Sequence, residues 1–180
     1  MNINDLICER WNEDDPLGSL SAPVDHYDRH TIELLKRYHE VKKAPVISRH
    51  EAEMLIAADE ELAEDIFTYR YDNTPIPIRS GKKMVSILKR IKPIDQTFYR
   101  GVEIENYDDK HIMPIQSWAT SVHVAKYFGD IIYETLGPVK GVELNSLFYW
   151  NGMLYDTSDG LGDGGMGEWF LLNPKKELMD

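Results

Sequence analysis

The first half of the chain, up to about residue 92, spaces its apolar residues three or four positions apart, as an amphipathic helix does. Ser48 and Glu51, three residues apart, match a capping box, so a helix is predicted to begin there. Pro45 separates this helix from the one before it, and Pro93 ends a third helix predicted over Lys82–Ile91. The apolar positions are Ile32, Leu34, Leu35 and Tyr38 in the first helix, Met54, Leu55, Ala58, Leu62 and Ile66 in the second, and Val85, Leu88 and Ile91 in the third.

From Thr97 onward the pattern changes to short β-type runs separated by glycine and aspartate, which is typical of strands. Before this change, the segment NTPIPI at 73–78 is predicted to be an extended connection, because its prolines cannot lie inside a helix. One short helix is predicted over Val122–Phe128. The predicted strands are Thr97–Ile104, Ile112–Trp118, Ile131–Thr135, Val139–Leu144 and Trp169–Leu172. Helices followed by a mainly antiparallel sheet predict an α+β fold.

Size and composition favour one domain over residues 1–180, with a mainly helical part at 1–95 and a mainly β part at 96–180. Cys8 is the single cysteine, so no intrachain disulfide can form, which fits a reducing compartment. The first residues lack the basic and apolar segments of a signal peptide, and no apolar run approaches the roughly 18 residues of a membrane span. We therefore expect a cytoplasmic protein that does not enter membranes.

The formal net charge of −11 disfavours nucleic acid and anionic membranes as partners, because a field of that sign repels them. A local basic patch would override this field. The clusters Lys82-Lys83 and Lys89-Arg90-Lys92 could form such a patch, although charge patterns of this kind favour a solvated helix face.

Three segments of the second half carry residues suited to binding and catalysis. The first, FYRGVE at 98–103, puts Arg100 on a strand, where burying an unpaired guanidinium would be costly. Its planar fork suits a phosphate or diphosphate, and the alternative interpretation is a salt bridge to an acidic residue.

The second segment, QSWATSVHVAKYFG at 116–129, places Ser117, Thr120 and Ser121 just before a helix. Ser121 suits the N-cap of that helix, and these hydroxyls can also orient a ligand or a nearby carboxylate.

The third segment, GLGDGGMGEWFLLNP at 160–174, leads from a glycine-rich loop into a strand that begins near Glu168. An acid between such a loop and an apolar strand suggests chemistry, whereas a simply solvated glutamate is the alternative. The tryptophans Trp118, Trp150 and Trp169 are predicted to be core residues, although aromatic rings also stack on a nicotinamide or adenine.

In this order the three segments resemble the mono-ADP-ribosyltransferases of the Arg–Ser–Glu type. That family shows an aromatic-Arg-Gly strand, a Ser-Thr-Ser-like strand followed by an Ala-x-x-Phe helix, and a loop that enters the strand of the catalytic glutamate. The matching positions here are Tyr99-Arg100-Gly101, residues 117–121 with Ala125 and Phe128, and the loop before Glu168. The middle motif looks most like that of the small phage enzymes of the Mod and Alt kind. The resemblance covers roughly the last half of the chain and rests on the order and spacing of short motifs.

The resemblance implies an ADP-ribosyltransferase-like split mixed or antiparallel sheet with an N-terminal helical part, and NAD⁺ in the cleft between the sheet halves. Glu168 would hold the nicotinamide ribose hydroxyl and stabilise an oxocarbenium-like ribose, and Arg100 would hold the NAD⁺ phosphates. No general acid is needed, because nicotinamide is already a cationic leaving group. The implied catalytic residues are Glu168, Arg100, Ser117 and Ser121, and the implied NAD-binding residues are Tyr99, Arg100, Gly101, Trp118 and Thr120, with no metal.

Two positions depart from the family pattern. Arginine-modifying members carry a second glutamate two residues before the catalytic one, where this chain has Met166, which puts arginine as the acceptor in doubt. Aligning on Ser121 puts Ala119 at the family's first serine, so either Ser117 or Ser121 would serve that role. The implied partner is a target protein, of a bacterial host by analogy with phage and bacterial effectors, so the host cytoplasm is a further expected location.

Two alternative functions stay open at the level of sequence. An NAD⁺ glycohydrolase would use the same site and pass ADP-ribose to water, whereas a non-catalytic interaction protein on the same scaffold would not turn over NAD⁺. Metal sites are disfavoured: an EF-hand loop ending at Glu168 would lack two ligands, and His26 and His30 lack further ligands nearby. GKK at Gly81 lacks the first glycine of a P-loop.

Overall fold

The computed structural model describes residues 33, 34, 36–72, 74–103, 114–150 and 167–179. The helices in these ranges are α1 (Tyr38–Lys43), α2 (Arg49–Ala58), α3 (Glu60–Asp72), α4 (Ile78–Leu88), α5 (Val122–Ala125) and α6 (Leu144–Trp150), with a 3₁₀ turn at Lys126–Phe128. The strands are β1 (Tyr99–Val102), β2 (Ile115–Ala119), β3 (Ile131–Thr135), β4 (Gly141–Glu143), β5 (Glu168–Leu172) and β6 (Lys176–Leu178). Helices and a six-stranded antiparallel sheet together give the predicted α+β class.

Helix α2 begins with the predicted capping box. The Glu51 N–H donates to Ser48 Oγ at 3.2 Å, and the Ser48 N–H donates to Glu51 Oε2 at 2.8 Å. One continuous helix was predicted from its apolar positions, which run from Met54 to Ile66. This prediction is wrong in one respect, because the helix is interrupted at Asp59 and forms two helices, α2 and α3. Asp59 has extended backbone angles and its Oδ1 accepts from the Leu62 N–H at 3.1 Å, so it caps the start of α3 instead of continuing α2.

Helix α4 begins earlier than predicted, at Ile78 instead of Lys82. Pro77 occupies its N-cap position, where the missing N–H of proline costs no helical hydrogen bond. The helix also ends earlier, at Leu88, and the chain turns through residues 89 and 90. Arg90 then donates to the carbonyls of Val41 (2.6 Å) and Ala44 (2.9 Å), which ties this turn to the C-terminal end of α1.

The sheet order is β4-β5-β2-β1-β3-β6, and every pairing is antiparallel among the described strands. Strands β2 and β5 pair along their full lengths, and all four residues of β1 pair with β3. In contrast, β1 and β2 share one registered pair, Tyr99 with Ala119. The sheet therefore consists of two three-stranded halves that touch at one point and separate beyond it.

Both faces of the sheet are packed against apolar side chains. On β5, Phe170 joins a core formed mainly by the helices, whereas Trp169 and Leu171 join a second core with Phe98 and Trp118. This alternation follows from the two-residue period of a strand, which sends neighbouring side chains to opposite faces. The prediction that Trp118 and Trp169 are core residues is confirmed by their exposures of 1% and 5%; the side chain of Trp150 lies outside the described part.

The predicted strand Ile131–Thr135 has the observed bounds of β3, and the predicted helix Val122–Phe128 is α5 with its 3₁₀ turn. The other strands are shifted at their ends or shorter, and positions 104, 112 and 113 lie outside the described residues. Two elements were not predicted. Helix α6 follows β4 directly and buries Leu144 and Leu147 in the helical core, and β6 pairs with β3 through the polar sequence Lys176–Leu178.

Candidate functional site

A cleft of about 420 Å³ opens where the two sheet halves separate. This volume lies within the range of roughly 300–1,000 Å³ that small-molecule sites occupy. Residues from α3, α4, β1, β2, α5 and β5 contribute to its walls. The lining residues are Tyr69, Pro75, Ile76, Gly81, Met84, Tyr99, Arg100, Gly101, Ile115, Gln116, Ser117, Trp118, Ala119, Val124, Ala125, Phe128, Glu168 and Phe170.

Glu168 is the first residue of β5 and pairs with Ala119 of β2, which places its carboxylate at the point of separation. The Ser117 hydroxyl donates a short hydrogen bond to Glu168 Oε1. The Tyr69 hydroxyl donates to the same oxygen at 3.3 Å. On the other oxygen, Glu168 Oε2 lies 3.7 Å from Arg70 Nη1. The carboxylate is thus held by three side chains while its own side chain stays 19% exposed.

Arg100 lies on β1, directly after the one residue that pairs with β2. Its Nη1 donates to the Ser117 carbonyl at 2.6 Å, so the guanidinium bridges the two strands where they diverge. Partial burial lowers the pKa of Arg100, an effect opposed by electrostatic interactions with Tyr69 and Glu168. A guanidinium stays protonated in proteins, so Arg100 remains a partly buried cation with further N–H donors.

Tyr69 and Arg70 were not found by sequence reasoning. Both belong to α3, and the Tyr69–Glu168 bond joins residues 99 positions apart. No motif links such distant positions, and an aromatic-arginine pair in a helix has no specific meaning by itself. Burial and the negative charge of Glu168 raise the pKa of Tyr69, so its hydroxyl keeps the proton that it donates.

Two of the predicted hydroxyl residues lie outside the cleft wall. Ser121 Oγ accepts from the His123 N–H at 3.2 Å and caps α5, which confirms its predicted structural role. Thr120 is exposed, and its N–H donates to the Gly167 carbonyl at 3.1 Å. Gly167 has φ of +56°, and a Cβ there would collide with Thr120 Oγ1, so glycine is required directly before Glu168. Among the described residues, the geometry brings Ser117, and not Ser121 or Thr120, to Glu168.

Tyr99, Gly101 and Trp118, predicted to contact NAD⁺, all line the cleft. Gly101 also has a packing role, because a Cβ there would collide with the Ala125 carbonyl of α5. Trp118 is buried in the second core, and its indole N–H has no hydrogen-bond partner among the described residues.

Two of the five residues in the basic clusters in and after α4 have partners within the protein, whereas Lys82, Lys89 and Lys92 are exposed. Lys83 Nζ lies 2.9 Å from Asp59 and 2.8 Å from Glu61, and hydrogen bonds to these two acids raise its pKa. Arg90 donates to the carbonyls of Val41 and Ala44 at the C-terminal end of α1. The charges of Lys83 and Arg90 are therefore used in contacts within the protein.

Within the described ranges, no three or more His, Cys, Asp or Glu side chains are grouped as metal ligands would be. No helix in those ranges is both long and apolar enough to span a membrane. Cys8, the two histidines considered for zinc, Met166 and the aspartates before it lie outside the described residues.

The cleft therefore combines one carboxylate, one partly buried guanidinium and largely apolar walls with aromatic side chains. Such a set suits a ligand that carries a negative group, a hydroxyl and a flat apolar ring. Comparison with family models, curated proteins and solved structures finds no match for this chain. The contacts around Glu168 are the basis on which a function can be inferred.

Proposed function

We propose that this chain is a mono-ADP-ribosyltransferase that cleaves NAD⁺ at the nicotinamide–ribose bond and transfers ADP-ribose to a target protein. One observation carries the proposal. Arg100, Ser117 and Glu168, which the motif resemblance singled out, meet in one cleft through direct contacts between Arg100 and Ser117 and between Ser117 and Glu168. They lie where the antiparallel sheet separates into halves, which is consistent with an ADP-ribosyltransferase-like fold.

Glu168 is suited to the electrostatic role. Loss of nicotinamide leaves positive charge on the ribose, and a fixed carboxylate stabilises that charge without having to reorganise. Ser117 and Tyr69 donate to Oε1 and Arg70 lies 3.7 Å from Oε2, so the carboxylate has partners on both oxygens before any ligand enters. A carboxylate has about four acceptor positions, so Glu168 can still accept a hydrogen bond from a ribose hydroxyl.

Arg100 is suited to hold the diphosphate. Its contact with the Ser117 carbonyl uses Nη1, and a guanidinium has five N–H donors in all. Its positive charge attracts an anion locally, although the chain as a whole carries a net charge of −11. The aromatic side chains of Tyr99 and Phe128 on the cleft walls are suited to the flat rings of the dinucleotide.

The acceptor is the least constrained part of the proposal. The loop before Gly167 that would meet the target, including Met166, lies outside the described residues. We propose a protein acceptor, of a bacterial host if the analogy with phage enzymes holds. An NAD⁺ glycohydrolase would use the same Glu168 and Arg100 and differ in passing ADP-ribose to water.

The test is transfer of label from adenylate-labelled NAD⁺ into bacterial lysate by the wild type and by Glu168→Ala. Glu177→Ala, which changes an exposed glutamate of β6, is the matched control. A discrete labelled band with the wild type and the control, and none with Glu168→Ala, supports the transferase. Nicotinamide release without protein labelling favours the glycohydrolase, and no release with any variant refutes both and leaves a binding scaffold.

A further inference from the structure

Helix α3 brings two consecutive residues of the helical part, Tyr69 and Arg70, to the carboxylate of β5. Their positions relative to the cleft differ. Tyr69 lines it, whereas Arg70 is not among its lining residues. Arg70 therefore meets Glu168 without forming part of the wall that faces a ligand.

The Arg70–Glu168 contact is largely shielded from solvent. The Arg70 side chain is 16% exposed and the Glu168 side chain 19% exposed, so the attraction between them is screened less than in a surface ion pair. The distance from Arg70 Nη1 to Glu168 Oε2 is 3.7 Å, longer than a hydrogen bond. Oε2 is therefore attracted to the guanidinium but keeps its acceptor positions for another donor.

We propose that Arg70 is a positioning residue for Glu168, an inference that rests on the proposed function. Ser117 and Tyr69 both bind Oε1, so these two bonds fix one oxygen and leave the carboxylate free to swing about it. Arg70 supplies the missing restraint on Oε2. With both oxygens held, the Glu168 carboxylate keeps a constant orientation at the cleft wall, where a ribose hydroxyl would be bound.

The proposal gives the helical part a direct function in the reaction. Displacement of a reacting group by about 1 Å can cost on the order of 100-fold in rate. Loss of the restraint on Oε2 is therefore expected to lower kcat strongly and to change the binding of NAD⁺ much less. Arg70 does not line the cleft, so its removal is expected to leave KM for NAD⁺ nearly unchanged.

The experiment compares kcat and KM for nicotinamide release in the wild type, Arg70→Gln and Arg70→Lys. Arg79→Gln is the matched control, because Arg79 forms an exposed ion pair with Glu61 at 3.2 Å on the neighbouring helix. Arg70→Gln is expected to lower kcat about 10- to 100-fold with KM within about threefold of the wild type. Arg70→Lys retains the charge and is expected to recover kcat to within about tenfold of the wild type. The melting temperature of each variant is measured by thermal unfolding, so that all assays are run below it.

Three results would overturn the positioning role while leaving the proposed function intact. These are an unchanged kcat in Arg70→Gln, an effect confined to KM, and an Arg70→Lys variant no more active than Arg70→Gln. A wild type that releases no nicotinamide refutes the proposed function, and the positioning role with it, so the two failures are distinguished by the wild-type assay.

Discussion

Two carboxylates at helix–sheet contacts, Glu53 and Glu168, illustrate opposite uses of a partly or fully buried acid. Glu53 on α2 is fully buried, with Oε1 bound by Arg49 at 3.4 Å and by the Glu143 N–H at 3.3 Å, and Oε2 bound by His50 at 3.1 Å. Glu168 also has partners on both oxygens, but it faces a cleft. The Glu53 cluster is closed by protein contacts, whereas the Glu168 cluster leaves acceptor positions for a ligand.

The difference lies in what surrounds each acid. Arg49 also stacks over the Trp169 ring at 5.0 Å and approaches Glu143 at 3.9 Å, so the Glu53 cluster ties α2 to β4 and β5. Around Glu168 the strands diverge, and no strand takes up the space between β1 and β2 in the described part of the chain. A buried acid with complete protein partners is expected to serve stability, and one at an opening is expected to serve chemistry.

The largest effect is expected from Glu168→Gln. This change keeps the size of the side chain but removes the charge, so nicotinamide release is expected to fall about 100- to 1,000-fold. The free energy of unfolding is expected to change by only about 1–2 kcal/mol, because an amide oxygen in place of Oε1 still accepts from Ser117 and Tyr69 and the ion pair lost is the 3.7 Å contact with Arg70. Steady-state kinetics and thermal unfolding measure the two quantities, and a large loss of stability with modest loss of rate would contradict the comparison.

Glu53→Ala is expected to show the reverse pattern. It leaves the Glu143 N–H and the Arg49 side chain without their buried partner, which is expected to cost about 3 kcal/mol of unfolding free energy. The melting temperature is expected to fall by roughly 10 °C for a chain of this size. At temperatures where the variant is folded, kcat for nicotinamide release is expected to stay within about threefold of the wild type. A selective loss of kcat without loss of stability would show that the Glu53 cluster is not merely structural.

Arg100→Lys tests the cation of the cleft. A lysine has no planar fork to bind both the Ser117 carbonyl and a diphosphate, so KM for NAD⁺ is expected to rise about 10- to 100-fold. Arg90→Lys is the matched control, since Arg90 also donates to backbone carbonyls, but to those at the C-terminal end of α1 and outside the cleft. The control is expected to lose stability and keep its KM. Equal KM values in the two variants would argue against Arg100 as a ligand contact.

The smallest effect is expected from Tyr69→Phe, which removes one of two donors to Glu168 Oε1 and is expected to lower kcat about three- to tenfold.

Tyr69→Phe is also expected to change how stability depends on pH. Burial raises the pKa of Tyr69 above the ordinary value of 10.0, so above that pH the unfolded chain loses this proton more readily than the folded chain. Wild-type stability is therefore expected to fall as pH rises from about 10 toward the raised pKa, and the variant is expected to lack that contribution. Urea unfolding at pH 9 and above measures it, and parallel curves for the two proteins would refute the assignment.

Several predictions from sequence were confirmed because they depend on residues close together in the chain. The Ser48–Glu51 capping box and the Ser121 cap each involve positions three or fewer apart. Strand β3 was predicted with the observed bounds because its β-type run is flanked by glycine and aspartate or proline signals. Strand β6 was not predicted, because it is short and polar and lacks the apolar pattern of a strand. It forms through its pairing with β3.

The break at Asp59 shows where periodicity alone misleads. The apolar stripe runs unbroken from α2 into α3, but the Asp59 side chain competes for the backbone by capping the Leu62 N–H. Apolar spacing reports which residues face the core, and it does not report the change in helix direction between two helices that share that core.

The local pattern of residues along the chain thus determined the α+β class, the capped starts of α2 and α5 and the bounds of β3, because hydrogen bonding and apolar spacing of neighbouring residues set them. Tertiary structure alone decided that β1 and β2 diverge after Tyr99 and Ala119, and that Tyr69 and Arg70 reach Glu168. These contacts join α3 to a strand about 100 residues later in the sequence. Their geometry depends on how the side chains of the helical core pack α3 against the sheet. Long-range packing of this kind leaves no periodic signal in the sequence, since it constrains pairs of positions and not the residues between them.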